Sequence, residues 1–270
     1  TYQIGLGEDE QRLDKWISAA LPDLSRSYIQ KLLQEGKITV DGKAVKANYR
    51  LKCEDEIRFQ IPLAIEPDIV PEKIPLDILY EDEDVLVVNK PKGMVVHPAA
   101  GHCSGTLVNA VMFYCQENLS GINGIMRPGI VHRIDKDTTG SIIICKNDFS
   151  HNHIAEQLKK HSITRRYHAI CYGTFLSQEG TISAPIGRHP LDRKKMAVNE
   201  KNGKSAVTHY KVLQRFHGYT YIECRLETGR THQIRVHMAS IGHPLLGDET
   251  YSGGRKSPFK LNGQCLHARV

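Results

Sequence analysis

A chain of 270 residues, 40% of them hydrophobic and 24% charged, has the composition of an ordinary folded protein and is long enough for one large domain and a smaller one. It has no apolar run of about 18 residues and its first residues are polar and acidic, so we expect a cytoplasmic protein without a membrane span or secretory signal. The formal net charge of +6 is concentrated in residues 91–270, with twenty-four basic and twelve acidic side chains, which suits a phosphate backbone as well as an ordinary solvated surface.

Two short helices and a hairpin are predicted at the beginning of the chain. Apolar side chains recur at helical spacing in residues 11–20, and residues 25–35 begin with Ser25, a suitable N-cap. A strand, an Asp-Gly turn at 41–42 and a second strand follow. We therefore expect residues 1–62 to form a small α+β domain.

The next stretch separates this region from a larger one. Residues 61–76 contain four prolines and no periodic pattern, so we assign 63–76 as a linker and 77–270 as a second domain. Strands outnumber helices in the second domain, and the two do not alternate strictly. The predicted fold class is therefore α+β, with a mixed, largely antiparallel sheet flanked by helices.

Local patterns place several elements in the second domain. Strands are predicted over 164–175 and 219–229, and helices near 106–117 and 150–161. A further helix is predicted to begin at Thr231, its N-cap, and to end at Gly242, which Pro244 follows two residues later.

The stretch HRIDKDTTGS, residues 132–141, begins like a calcium-binding loop. Such a loop needs a carboxylate at its twelfth position and a helix on each side, but the twelfth residue from Asp135 is Lys146 and both flanks are β-branched. The stretch is therefore predicted as a turn between two strands, with its Thr-Thr-Gly sequence shaping the turn. A turn alone does not explain why His132, Arg133 and Asp135 stand so close together.

Metal binding is not indicated elsewhere in the sequence. The seven cysteines are scattered without a C-x-x-C pair, which favours reduced thiols over disulfides or a zinc site. His232 and His237 have no carboxylate or cysteine partner at a metal-ligand spacing. We expect no metal and no cofactor.

Three stretches carry a resemblance to a known family: HRIDKDTTG at 132–140, RRYHAICYG at 165–173 and LETGRTHQIRVHMASIGHPLLGD at 226–248. In this order they resemble the pseudouridine synthases of the RluA family, and the resemblance extends over 75–270. Residues 11–60 resemble an S4 domain, an RNA-binding module. This pairing is most similar to the D type of the ribosomal large-subunit pseudouridine synthases.

The resemblance implies a pseudouridine-synthase fold and an isomerase that converts specific uridines of RNA to pseudouridine without a cofactor or metal. It assigns the catalytic aspartate to Asp135, the arginine that pairs with it to Arg235, and the tyrosine that packs on the flipped uracil to Tyr167. A carboxylate near C1′ can stabilise positive charge, attack covalently or remove a proton from the sugar. Covalent attack at C1′, addition to the base and proton abstraction from the sugar all remain open as mechanisms. A carboxylate that must stay charged in a partly dry pocket needs a cationic partner.

Contacts with RNA are implied more loosely. Arg133 matches a residue that helps to expel the base in some family members. His132 is grouped with it as a substrate-binding residue, and the favoured role of its ring is to support the loop rather than to titrate. Other basic side chains able to contact phosphates lie in the S4-like region and in residues 188–215, which have eight basic and two acidic residues. These predicted RNA-binding residues are Arg26, Lys31, Lys37, Lys43, Arg188, Arg193, Lys194 and Lys195.

The expected substrate is 23S (large-subunit) ribosomal RNA, free or in an assembling particle, and the expected protein is a monomer. The same chemistry on transfer RNA or at another ribosomal site remains open, because motifs constrain the reaction more tightly than the substrate. A non-catalytic RNA-binding role in ribosome assembly is the alternative of another class. The family continues past the Leu-His-Ala sequence at 266–268, so we expect the C-terminal end to be truncated.

Overall fold

The computed structural model describes the backbone of residues 1–21, 26–60, 69–98, 104–116, 118–120, 128–192 and 195–269 and, except at 26–28, their side chains. The chain divides into two compact units, residues 1–65 and 66–270. Within the described ranges, no helix is long and apolar enough to cross a membrane.

The N-terminal unit combines two helices with a small antiparallel sheet. Its elements, in chain order, are β1 (Tyr2–Gln3), α1 (Leu13–Ala20), α2 (Arg26–Gln34), β2 (Ile38–Val40), β3 (Lys43–Ala44) and β4 (Glu56–Phe59). The strands lie in the order β1-β4-β2-β3. Ser25, the predicted N-cap of α2, lies outside the described residues.

Local sequence explains how this unit folds. Leu13, Trp16 and Ile17, which carry the helical pattern of α1, are buried in its hydrophobic core. Between β2 and β3, Asp41 and Gly42 have left-handed φ angles of 49° and 73°. Asp and Gly tolerate these angles better than most residues do, and the tight turn forms as predicted.

The larger unit combines many short strands with a few helices. Its described elements, in chain order, are β5 (Ile78–Glu81), β6 (Val85–Lys90), α3 (Leu107–Cys115), β7 (Thr139–Cys145), α4 (Asp148–Lys160), β8 (Arg166–Tyr172), β9 (Glu179–Ser183), β10 (Ile186–Arg188), β11 (Met196–Val198), β12 (Val207–Phe216), β13 (Tyr219–Leu226), α5 (Gln233–Ser240) and β14 (Leu266–Ala268).

Most of these strands form one sheet of eight, in the order β5-β6-β7-β14-β8-β13-β12-β9. Its neighbouring strands are antiparallel except for β14 and β7, which are parallel. Strands β10 and β11 form a separate antiparallel hairpin. The prediction of an α+β fold with a mixed, largely antiparallel sheet is confirmed.

Two hydrophobic clusters join helices to this sheet. One cluster joins α3 to β6 and β7 and includes Leu107 and Ile142. The other joins α5 to β8 and β13 and includes Met238 and Ile222. Tyr167 of β8 packs against both clusters, so it lies where they meet.

The chain before β7 departs from the predicted hairpin. Strand β7 begins at Thr139, so the Thr-Gly pair that was expected to shape a turn is already part of a strand. Gly140 has a φ of 113°, and a Cβ at this position would collide with the backbone of Ala268. Before the turn, only an isolated bridge between Ile130 and Ile144 pairs the described chain with β7. The first predicted strand is therefore wrong, and glycine is needed here so that β14 can lie against β7.

The beginning of α5 also differs from the prediction. The N-cap is His232, with a left-handed φ of 57°, rather than Thr231, and its side chain makes no capping bond. The Gln233 side chain instead accepts hydrogen bonds from the Arg230 N–H at 2.9 Å and from the Thr228 hydroxyl at 2.8 Å. The His232 ring is therefore available for contacts outside the helix.

The described part of the predicted linker packs within the larger unit. Asn109 Nδ2 donates to the Val70 carbonyl at 2.8 Å, and the Gly105 N–H donates to the Glu72 carboxylate at 3.0 Å. Ile69 belongs to the cluster that contains α3. Residues 69–76 thus extend the larger unit, while 63–68 lie outside the described residues.

Candidate active site

The loop before β7 carries Asp135 and is held on both sides of that residue. On one side, the Ile143 N–H donates to His132 Nε2 at 3.0 Å. On the other side, the Gly93 N–H donates to the Lys136 carbonyl at 3.0 Å. These bonds hold the chain on either side of Asp135, whose side chain is 22% exposed.

Lys90, at the end of β6, also holds this loop. Its ammonium group donates to the carbonyls of Pro91 at 2.9 Å, Met94 at 2.8 Å and Lys136 at 2.9 Å. The side chain is 0% exposed. Burial lowers the pKa of Lys90 to about 8, against the opposing effect of two nearby aspartates. A buried cation thus ties the Asp135 loop to the turn that follows β6.

Arg235 of α5 lies between two carboxylates. Its Nη1 donates to Asp135 Oδ2 at 3.0 Å, while Nε and Nη2 donate to the two oxygens of Asp248 at 2.7 and 3.0 Å. The Arg235 side chain is 8% exposed and that of Asp248 is 0% exposed. Burial by itself lowers the pKa of Arg235, but the hydrogen bonds and charges of Asp248 and Asp135 outweigh it and raise the pKa above its ordinary value.

A second chain of contacts reaches Asp135 through His232. His232 Nε2 lies 3.8 Å from Asp135 Oδ2, and His232 Nδ1 lies 2.7 Å from the Tyr251 hydroxyl. That hydroxyl also accepts the Met196 N–H at 2.9 Å, so its own hydrogen can be donated to Nδ1. Burial lowers the pKa of His232, although the charge of Asp135 opposes this. The geometry therefore favours a neutral imidazole whose Nε2–H faces the carboxylate.

Tyr167 and Asp135 line the same recess. This recess has a volume of about 70 Å³, and its apolar lining includes Ile134, Leu226 and Leu266. It adjoins a wider cleft of about 570 Å³ that also contains Asp135. Burial raises the pKa of Tyr167, so the phenol is neutral at physiological pH. A flat aromatic face and a carboxylate thus meet in a small recess of mixed polar and apolar lining that adjoins a wider cleft.

Family models match both units of the chain. One, described as RNA pseudouridylate synthase, matches residues 84–240, and an S4 domain model matches residues 11–57. The chain is also 51% identical over 263 residues to an uncharacterised RNA pseudouridine synthase of Bacillus subtilis, a match that covers 97% of this chain and 86% of that protein. The chain belongs to the RNA pseudouridine synthases.

Further relatives and a solved structure agree with this assignment to the RluA family. The ribosomal large subunit pseudouridine synthase D of Zymomonas mobilis is 46% identical over 279 residues, with 99% of this chain and 88% of that protein covered. The structure of the human protein RNA pseudouridylate synthase domain containing 1 superposes with a TM-score of 0.60 at 25% identity. It covers 73% of this chain and 78% of the human chain.

The predicted site residues of this pseudouridine synthase do not all lie in the same place. Asp135, Arg235 and Tyr167 come together, and the exposed Arg133 lines both the recess and the wider cleft. His132 Nε2 accepts the Ile143 N–H, the kind of loop-supporting contact that the sequence favoured for this residue, and its assignment to substrate binding stays a prediction. Its ring therefore supports the loop that carries the neighbouring residues.

The predicted RNA-binding residues are distributed over both units. In the N-terminal unit, Lys31 forms a surface pair with Glu35 at 3.7 Å, and Lys43 is exposed on β3. Lys37 is half-buried just before β2, and the side chain of Arg26 lies outside the described part. In the larger unit, Arg188 is exposed at the end of β10, and Lys195 lines the wider cleft 3.9 Å from Asp192. Arg193 and Lys194 lie outside the described residues.

Four residues of this arrangement received no role from the sequence: Lys90, His232, Asp248 and Tyr251. Asp248 ends one of the family-like stretches, but a single aspartate after a glycine gives no sign of burial. Lys90 stands in a Lys-Pro-Lys-Gly turn, where a lysine ordinarily faces solvent. Position at the end of a family-like stretch was the only available signal for Asp248, and Lys90 lies outside those three stretches.

Metal ligation finds no candidate in the part of the chain that the structure describes. No group of three or more His, Cys, Asp or Glu side chains there could hold a metal ion. The six cysteines in that part are all free thiols, and Cys103 lies outside it. His237 contacts the Thr208 hydroxyl at 2.9 Å and the Ala184 carbonyl at 3.0 Å.

The loop-supporting bond of His132 predicts a pH-dependent stability. Burial, with a smaller effect of Arg165, lowers the pKa of His132 to about 4 from an ordinary 6.5. As the pH falls below 6.5 the unfolded chain takes up the proton first, so stability is lost between pH 6.5 and 4. Compared with His132→Gln, the free energy of unfolding of the wild type should fall by about 2 kcal/mol between pH 7 and pH 5.

Urea titrations of both proteins at pH 7, 6 and 5, followed by near-ultraviolet circular dichroism, measure this difference. The glutamine side chain of the His132→Gln variant keeps an oxygen acceptor for the Ile143 N–H but cannot titrate in this range. If the free energy of unfolding changed with pH by the same amount in both proteins, His132 would not titrate as its burial implies.

Proposed function

We propose that this pseudouridine synthase acts on uridines of large-subunit ribosomal RNA, with Asp135 as the group that acts on the sugar at the glycosidic bond. The choice of substrate is supported by five relatives named ribosomal large subunit pseudouridine synthase D, which are 43% to 46% identical to this chain. Each of them covers at least 94% of this chain, so the likeness includes the S4 domain as well as the larger unit.

The observation that carries the catalytic assignment is the Asp135–Arg235 bond of 3.0 Å beside the Tyr167 recess. The reaction breaks the N1–C1′ bond, turns the uracil and joins C5 to C1′; the proton on C5 leaves and N1 gains one. Arg235 is the cationic partner of the Asp135 carboxylate while positive charge develops at C1′. The carboxylate can then act on the sugar from the open side of the recess.

Tyr167 and Arg133 have complementary roles in this proposal. A uridine in folded RNA is stacked, so it must be turned out of the stack before its C1′ can reach Asp135. Tyr167 offers a flat face to the detached uracil inside the recess. Arg133, exposed at the mouth, contacts the strand from which the base has left.

Phosphate contacts outside the site determine where the RNA lies. The S4 domain supplies Lys31, Lys37 and Lys43, together with Arg26 of α2. The larger unit supplies Lys195 on the cleft wall and Arg188 on the adjacent hairpin, with Arg193 and Lys194 between them in the chain. These residues position the RNA and carry no base specificity of their own.

Tritium release tests this function directly. Unmodified large-subunit ribosomal RNA, small-subunit ribosomal RNA and transfer RNA would each be labelled with tritium at C5 of uridine and incubated with the full chain. Isomerisation frees one tritium per pseudouridine, and we expect release from the large-subunit RNA alone. Release only from transfer RNA or small-subunit RNA would show that this RNA, and not large-subunit RNA, is the substrate. No release from any RNA by a folded protein that still binds RNA would favour a non-catalytic role in ribosome assembly.

A further inference from the structure

The guanidinium of Arg235 donates two hydrogen bonds to one of its carboxylate partners and one to the other. Asp248 takes Nε and Nη2 together, at 2.7 and 3.0 Å, whereas Asp135 takes only Nη1. A two-point bond fixes the plane of a guanidinium, and a one-point bond does not. The orientation of Arg235 is therefore set by Asp248 rather than by Asp135.

Asp248 itself is held independently of Asp135. Its Oδ1 accepts the N–H of Thr250 at 3.0 Å and the N–H of Tyr251 at 3.2 Å, in addition to Arg235. Its side chain is 0% exposed, whereas that of Asp135 is 22% exposed toward the cleft. The buried Asp248 carboxylate is thus fixed by the surrounding backbone, and the partly exposed Asp135 carboxylate faces the space where a substrate can enter.

The electrostatic consequence is that Arg235 does not neutralise Asp135 by itself. Two carboxylates share one guanidinium, so the three groups together carry an excess negative charge. Without Asp248, the full charge of Arg235 would act on Asp135, and its side chain could rotate to bind Asp135 with two bonds. A doubly bonded carboxylate would be a weaker base and a weaker nucleophile.

We propose that Asp248 is a positioning residue for catalysis: it holds Arg235 so that a single N–H reaches Asp135, and its charge keeps Asp135 reactive. The inference rests on the proposed catalytic role of Asp135. It goes further by assigning a function to a carboxylate that cannot touch the substrate.

Several other groups act on Asp135 and must be considered in any pH experiment. Arg133 and Asp137 lie on its own loop, Lys90 at the end of β6, Tyr167 on β8, His232 at the beginning of α5, and Tyr251 behind His232. Lys195 and Glu249 stand on the wall of the wider cleft. None of these bonds the Nε or Nη2 of Arg235. Tyr251 does donate its N–H to Asp248 Oδ1, but an asparagine at this position keeps an Oδ1 acceptor, so Asp248→Asn alters the arginine without removing that bond.

The experiment compares Asp248→Asn with Asp248→Glu in single-turnover tritium release over a range of pH. Asp248→Asn removes the charge and should slow the reaction by about 10²-fold because Arg235 loses its fixed orientation. It should also move the acid limb of the pH–rate profile to lower pH by about one unit, because the carboxylate that acts in the reaction now faces an unshared cation. Asp248→Glu displaces the carboxylate but keeps its charge, so the rate should fall while the acid limb stays at the wild-type position.

Glu223→Gln is the matched control. Glu223 alternates with the core-facing residues of β13, so this change removes one carboxylate from the other face of the sheet. Its rate and acid limb should equal those of the wild type. RNA affinity should change by less than about threefold in all variants. A loss of rate in Asp248→Asn that only follows the loss of folded protein, with an unmoved acid limb, would overturn the proposal and leave Asp248 with a purely structural role.

A substrate-free measurement separates this inference from the proposed function. The carboxyl carbon of Asp135, observed by NMR in the full chain, should titrate at lower pH in Asp248→Asn than in the wild type and Asp248→Glu. If no RNA supports tritium release, the proposed function fails while this titration still decides the inference. An Asp135 resonance that titrates identically in all three proteins contradicts the inference whatever the substrate is.

Discussion

Asp135→Asn should slow pseudouridine formation by at least about 10³-fold while RNA affinity stays within about threefold of the wild type. Asparagine has nearly the same shape as aspartate. Its Oδ1 can still accept a hydrogen bond from Arg235 Nη1, which lies 3.0 Å from Asp135 Oδ2 in the wild type. The amide is uncharged, however, so it can neither balance positive charge at C1′ nor attack it nor take a proton from the sugar. Binding through phosphate contacts does not depend on this group.

The measurement is single-turnover tritium release with the enzyme in excess, beside a filter-binding titration with the same RNA. Glu223→Gln is again the control, because it removes a carboxylate from the other face of the sheet; its rate should remain within about threefold of the wild type. If Asp135→Asn kept more than about a tenth of the wild-type rate, Asp135 would not be at the centre of the chemistry.

Arg235→Met should lower the free energy of unfolding of the larger unit by about 3–5 kcal/mol, the usual cost of leaving a buried charge without its partner. Asp248 is 0% exposed and loses both of its guanidinium bonds in this variant. Activity should be lost as well, because Asp135 loses its cation. Arg235→Lys should destabilise less, since an ammonium group supplies charge but cannot bind Asp248 side-on with two nitrogens.

A second substitution tests this cause. Adding Asp248→Asn to Arg235→Met removes the orphaned charge, so the double variant should be more stable than Arg235→Met alone, whereas independent effects would simply add. Urea unfolding can be followed separately in the two units. The only tryptophan of the chain, Trp16, lies in the N-terminal unit, and its fluorescence transition should be unchanged in every variant. Near-ultraviolet circular dichroism from the tyrosines of the larger unit reports the change.

An increase in stability in Arg235→Met would mean that removing Arg235, Asp135 and Asp248 from water costs more free energy than the hydrogen bonds and charge attraction among them contribute. That outcome is physically reasonable for some buried ion pairs, which hydrophobic residues can replace without loss. It is not expected here because the variant leaves Asp248 in place. The sign of the change therefore tells whether Arg235 stabilises the fold as well as serving the reaction.

The sequence by itself was sufficient for the family, and it predicted the three residues that the fold brings together at the candidate site. Short stretches around Asp135, Tyr167 and Arg235 resemble the family's own, so each residue could be predicted without knowing how the chain folds. The helices and strands with clear periodicity, such as α1 and β13, were also predictable, because their patterns reflect which side faces the core.

Only the tertiary structure decided which groups meet. Asp135 and Arg235 are 100 positions apart in the chain, and Lys90 reaches a carbonyl 46 positions away. Whether a lysine is buried depends on backbone carbonyls that packing leaves without partners, and no local pattern records this. The same holds for Gly140, whose turn-like sequence concealed a strand that must admit Ala268. It holds equally for Asp248, which became visible only when the folded chain placed it against Arg235.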